Sequence, residues 1–301
     1  MPWVRYRVRH ATRYAYGAGV DLAAHLLHLT PRELPGQRVL AARITADPPA
    51  GRRRDGPDHF GNTATWLFLE APHTEFAVVA EAVVEVGFPA PPTPAATPAW
   101  EAVAEAARSG AEPAAAEFRA PSPMIPAVPA AGAFAATCFP PGRPVLAGLL
   151  ELNARIARDF TFRAGVTSLA TPVEEVLARR EGVCQDFSQL MIAALRALGL
   201  PARYVSGYVR TRPPPGERRR RGADQSHAWV GCWLGPGLGW VDLDPTNGLV
   251  VAEEHVVLAW GRDYADVSPV RGVVLGGGAS QGLAVAVDLE PEPALALPTN
   301  R

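Results

Sequence analysis

The hydrophobic period of this chain changes part-way along, and that change restricts its possible folds more than any other feature. Through residues 1 to 90, apolar and polar residues alternate in short runs: "VRYRVRHATRYAY", "RVLAARITADP", "TATWLFLEA" and "TEFAVVAEAVVEVGF". A period of two sends successive side chains to opposite faces of a strand. Turn signals such as "DHFGN" separate the runs, so this region predicts an antiparallel β-sandwich or barrel. From Pro144 the spacing lengthens to three and four. "PVLAGLLELNARIARDF" carries Leu146, Leu149, Leu150, Leu152 and Ile156 near helical spacing. A later helix has Phe187, Leu190, Met191, Ala194, Leu195 and Leu198 as its buried stripe. Strand-like runs then resume in "ARYVSGYVR", "SHAWVGCWL", "GWVDLD", "EHVVLAWG" and "LAVAVDLEPE". The order predicts an α+β chain. Its parts are a β-rich domain at 1–90, a linker and irregular/helical segment at 91–143 with a short helical piece in "WEAVAEAARSG", and a second domain at 144–301.

The helix boundaries of the second domain carry chemistry. "TPVEEVLARREG" offers Thr171 as N-cap, Pro172 in the first turn, Glu174 to complete a capping box and Gly182 as the stop. The next helix begins at Cys184. Unpaired N–H groups and the positive end of the helix dipole favour a thiolate there and offer donors to an oxyanion. A buried structural thiol is the plainer alternative. The three cysteines, Cys138, Cys184 and Cys232, are odd in number and lack C-x-x-C spacing. That argues against a disulfide framework or a zinc site and for a reducing compartment.

A nucleophile needs a base. His227 opens "SHAWVGCWL", which returns through "GPGL" into "GWVDLDPTN". If Trp233 lies opposite Trp240 in this hairpin, His227 faces Thr246 and is diagonal to Asp244 on the same face. Asp244 can then orient the imidazole as the third group of a triad must. Asp242 shares that face one step further up the strand and ranks second. Cys232 alternates out of phase with His227 and is expected in the core, and Cys138 has no evident partner.

"REGVCQDFSQL", "GLPARYVSGYV", "SHAWV" and "GWVDLDPTN" resemble, in that order, the core motifs of the transglutaminase-like superfamily of papain-type thiol enzymes. "YRVRHATRYAY", "LTPRELPGQ", "DHFGN" and the tail "EEHVVLAWGRDYADVSPVRGVVLGG" are similar to the bacterial branch and its β-rich N-terminal region. The resemblance implies helices packed on an antiparallel sheet, with Cys184 as nucleophile, His227 as base and acid, and Asp244 as orienting carboxylate. It also implies attack on an amide carbonyl, an acyl-thioester, and transfer to an amine or to water. Gln189, Gly231 and Cys232 depart from residues common in relatives without touching the triad. Phe160 and Phe162 stand where a second oxyanion donor is expected and have none to give.

Trp229 beside His227, Asp224 at the cleft mouth and Gln185 next to the nucleophile are the candidate substrate-binding residues, with packing the plainer role for Trp229 and a solvated loop carboxylate the plainer one for Asp224. The substrate is expected to be protein or peptide, and hydrolysis is favoured over crosslinking because no acidic amine pocket is evident. A non-catalytic binding protein keeping the fold is the other reading. A formal net charge of -1 argues against nucleic acid or an anionic membrane as partner, and "RTRPPPGERRRRGADQ" reads as a solvated loop. Glu253 and Glu254 are too few for a calcium site, and neither cofactor nor metal is expected. No secretory h-region and no long apolar window stand out, so the expected location is cytoplasmic.

Overall fold

The computed structural model describes residues 3–211 and 225–292. Its N-terminal strands are β1 (Val4–Leu27), β2 (Gln37–Asp47), β3 (Arg52–Pro57), β4 (Thr63–Leu69) and β5 (His73–Val86). Alternation shapes β1 directly: Tyr6, Val8, His10 and Thr12 are buried while Arg7, Arg9 and Arg13 at alternate positions are exposed. The pairing of β1 shifts across Gly17–Gly19. Before it, β5 lies beside β1, and after it β4 does. The two layers expected of a sandwich are thus halves of one seven-stranded sheet that curls around Val20, Leu27, Leu67, Phe76 and Val78.

The last two strands of that sheet come from the chain's far end. β13 (Val270–Gly276) pairs with residues 20–27 of β1, and β14 (Gln281–Pro291) pairs with residues 6–16. Residues 270–291, expected in the second domain, therefore complete the first. Local periodicity marks a strand but not its neighbour, which is why the boundary at 144–301 ran too far.

Along the chain between β5 and the second sheet come α1 (Trp100–Arg108), α2 (Pro113–Ala116), α3 (Pro129–Ala136), α4 (Val145–Asp159), α5 (Val173–Arg179) and α6 (Cys184–Ala197). Two short strands, β6 (Thr161–Phe162) and β7 (Glu181–Gly182), pair in parallel beside them. Helix α1, where a short helical piece was expected, and α3, in the stretch expected to be irregular, bury Val103, Ala107, Ala131 and Ala135 in the same core as α6. Close approach of α3 to α6 depends on Gly132, where a Cβ would lie 2.7 Å from that of Ala197.

The expected stripe of α6 is buried apart from half-buried Leu198, but so is every residue from Asp186 to Arg196, and the helix runs through the core rather than over it. Arg196 is held inside by donating to the carbonyls of Phe118, Ala202 and Arg262. The α5 cap differs from expectation. Pro172 is the N-cap with no side-chain bond, and the Thr171 hydroxyl instead accepts from the Ser168 N–H at 2.9 Å. The helix ends at Arg180, in the left-handed region at φ 56°.

The second sheet has the order β11-β10-β9-β8-β12, where β8 is Ala202–Val209, β9 Gln225–Trp233, β10 Trp240–Asp244, β11 Leu249–Val250 and β12 His255–Gly261. A four-residue helix, α7 (Tyr264–Val267), leads to β13.

Candidate active site

The start of α6 is built by a carboxylate. Asp186 Oδ2 accepts from the Val183 N–H at 2.8 Å and from the Thr167 hydroxyl at 2.7 Å, closing the turn that presents Cys184. Burial raises the Asp186 pKa against those two bonds. Gly182 is required for this closure, because a Cβ there would stand 2.8 Å from Asp186 Oδ2. Cys184 is half-buried at the first helical position, where backbone N–H groups have no intrahelical acceptor.

In the β9–β10 hairpin Trp233 pairs with Trp240, Gly231 with Asp242 and Val230 with Leu243, the register expected from the sequence. Continued to its end, it brings His227 Nε2 to 2.8 Å from Asp244 Oδ2. With Nε2 given to Asp244, Nδ1 is the nitrogen left for the Cys184 thiol, which hydrogen-bonds the same ring. Burial alone would push the imidazole pKa down. The bonds to Asp244 and Cys184, with the charges of both, outweigh it and hold His227 at about 10.

Asp244 is fully buried and accepts five N–H bonds. Oδ2 takes those of His227, Asn247 Nδ2 at 2.6 Å and His255 Nε2 at 3.3 Å; Oδ1 takes the backbone N–H groups of Thr246 and Asn247. Burial pushes its carboxyl up, but the hydrogen bonds, that of His227 foremost, keep it well below the ordinary carboxylate range. His227, Asp244 and His255 have the composition of a cation site, with ligand atoms within 4.8 Å of one another. A cation there would have to displace hydrogen bonds the three already make.

The other expected site residues fall differently. Gln185 lines the cleft beside Cys184. Trp229 has no exposed surface, and its indole N–H donates to Asp242 Oδ2 at 3.0 Å. It therefore packs behind the histidine, the plainer of its two expected roles, and its place among the candidate substrate-binding residues is corrected. Asp242 is drawn away from His227 by that bond and by Arg203 at 3.6 Å. Asp224 and the arginine run lie outside the described residues. Cys138 and Cys232 are buried free thiols.

Cys184 and His227 open into a cleft of about 880 Å3. One side is the core, with Tyr204, Ser206 and Ala228; the other is the N-terminal sheet, with His10 and Thr12 from β1 and Leu283, Val285 and Val287 from β14. Sequence reasoning missed His255, Asn247 and the place of β14 in this wall. Asn247 stood in the quoted "DPTN"; the others are brought in by pairings that no local pattern reveals.

Residues 6–85 match the bacterial transglutaminase-like N-terminal region and residues 134–245 match the transglutaminase-like superfamily. Over 293 residues the chain is 41% identical to an uncharacterized protein of Mycobacterium tuberculosis, covering 95% of this chain and 93% of that one. The chain belongs to the transglutaminase-like superfamily. Its fold matches the crystal structure of a candidate cysteine protease from Cytophaga hutchinsonii at a TM-score of 0.75 and 19% identity, covering 99% of this chain and 94% of that one. Against the protein-glutamine gamma-glutamyltransferase of Pseudomonas aeruginosa it is 36% identical over 137 residues, 42% of this chain and 20% of that protein. No helix among the described residues is long and apolar enough to cross a membrane.

Proposed function

We propose that this transglutaminase-like chain is a thiol enzyme that cleaves amide bonds of protein or peptide substrates. The observation that carries the reading is one imidazole shared between a fully buried carboxylate at 2.8 Å and a helix-start thiol, open to a cleft. The sulfur, its proton held on His227 Nδ1, attacks the carbonyl carbon, and the C=O electron pair moves to oxygen beside the Cys184 N–H. As the C–N bond breaks, the Nδ1 proton passes to the leaving amine and a thioester remains. Water then adds, giving its proton to Nδ1, and the acid leaves as the thiol re-forms.

The sheet wall of β1 and β14 gives the second side against which an extended chain can lie. Three unpaired cysteines favour a reducing compartment, and we place the enzyme in the cytoplasm, with neither nucleic acid nor membrane as partner.

The similarity to a glutamine gamma-glutamyltransferase favours a second reading, in which an amine resolves the same thioester. Incubation with casein and a fluorescent primary amine separates them. Cleavage without label, lost in Cys184→Ala, supports hydrolysis; incorporated label lost in that variant supports transfer. If neither product depends on Cys184, both readings fail and a binding role stands.

A further inference from the structure

His255 stands at the start of β12, separated in the sheet from β10 by two whole strands, yet its ring reaches the carboxylate at the end of β10. Gly207 makes this possible. It lies between Val257 of β12 and His227 of β9 in the ladder, and a Cβ on it would stand 2.2 Å from the Trp229 ring. In its place the Trp229 indole crosses β8 and meets His255 edge to face, with centroids 5.3 Å apart. His255 is buried, its Nε2 lies 3.3 Å from Asp244 Oδ2, and its Nδ1 is buried with no hydrogen-bond partner among the described residues.

We propose that His255 is a positioning residue of the active site, a second imidazole that holds the Asp244 carboxylate in the orientation His227 requires. The proposal rests on the triad reading above. Asp244 is ionised and can only accept, so His255 must present Nε2–H, and among the described residues its Nδ1 has no acceptor toward which to carry a proton. The ring is thus committed to one tautomer and one partner. The groups facing it are Asp244 from β10 and His227 and Trp229 from β9; β8 presents Gly207 and Val209, and Glu253 and Glu254 precede it in the chain. The carboxylate is thereby fixed from both edges of the sheet, by the turn after β10 and by the strand beyond β8. Loosening either would let it rotate away from His227 without removing any group that touches substrate.

The test is alkylation of Cys184 by iodoacetamide as a function of pH. His255→Phe keeps the ring against Trp229 and deletes the donor; His255→Gln keeps an amide N–H near the position of Nε2. The Phe variant should lose at least about tenfold in rate near neutral pH, the worth of one hydrogen bond to a charged group. The alkaline limb of its profile, where the imidazolium loses its proton, should move to lower pH. The Gln variant should return both toward the wild type. A Phe profile superimposable on the wild type overturns the proposal.

Should the variants not fold, 15N-histidine spectra of the unaltered protein decide. Nε2–H on His255 is required, and an Nδ1–H tautomer refutes it. A wild-type profile like that of a free thiol would instead sink the triad reading, leaving the tautomer to report on His255 alone.

Discussion

Two buried histidines face the same cleft from its two sides, and their environments drive them apart. On the N-terminal sheet, His10 Nε2 lies 2.8 Å from the Thr12 hydroxyl and Nδ1 lies 3.0 Å from that of Tyr208. Hydroxyls donate and accept without carrying charge, so burial wins and lowers His10 to about 4. On the core sheet, His227 is almost as deeply placed but has a carboxylate for a partner and is held at about 10. Burial sets neither value by itself; the partner decides. The N-terminal sheet gives the cleft a neutral imidazole, and the core gives it one with a proton that can be moved.

The sharpest way to break the contrast is to remove the carboxylate's charge. Asp244→Asn should bring His227 under the same rule as His10, so the imidazole loses its hold on a proton. Turnover should fall about 10³- to 10⁴-fold, by analogy with the corresponding change in a serine triad. Cys184 alkylation below neutral pH should fall with it. A profile unchanged by Asp244→Asn would mean that Asp244 is not what makes His227 basic.

The contrast also requires that Trp229 and His255 stay packed behind the core histidine. Gly207→Ala should cost about 3 kcal/mol, toward the upper end for an inserted methyl group that neither backbone nor ring can avoid. Urea unfolding measures the cost, and a neutral effect would show that the indole has another place to go.

The wall itself is tested at β14. Leu283 and Val285 are 61% and 51% exposed within the cleft, apolar surface that a bound chain would cover. Leu283→Asp and Val285→Asp should each raise KM for a peptide substrate about tenfold, the worth of one side chain's partial burial. Iodoacetamide, too small to span the cleft, should react with Cys184 as before. Equal KM values would remove the N-terminal sheet from substrate binding.

These outcomes bear on what was legible in the sequence. The helix start at Cys184 and the register that sets His227 against Asp244 could be read because both are local: a cap signal, and a hairpin whose turn fixes its pairing. The fold class was legible from the change of period. What could not be read depends on which strands become neighbours. His255 reaches Asp244 across two intervening strands, and β14 returns from the end of the chain to β1. Trp229 was placed on the correct strand face, but a face does not say whether a ring meets solvent or a neighbouring strand's glycine. Thr171 looked like a cap because the residue types fit, yet its hydroxyl turned back to Ser168.

The smallest expected effect belongs to the neutral histidine. Its folded pKa of about 4 lies below the ordinary 6.5, so the stability it contributes is present above about pH 6.5 and is lost as pH falls through about 4. His227 has the opposite sign: its contribution is whole below about pH 6.5 and is lost as pH rises through about 10. His10→Phe should therefore flatten the acid side of a stability-against-pH curve and leave the alkaline side alone. It should cost about 1 kcal/mol near neutral pH, because the Tyr208 hydroxyl loses its partner. The urea midpoint of variant and wild type, compared at closely spaced pH values, reads both effects. Because His25, also lowered to about 4 by burial, remains in the variant, the acid edge should shrink rather than vanish. An acid edge of full size in His10→Phe would mean that the cleft wall takes up a proton elsewhere, and the two sides of the cleft would not differ in the way the hydrogen bonds imply.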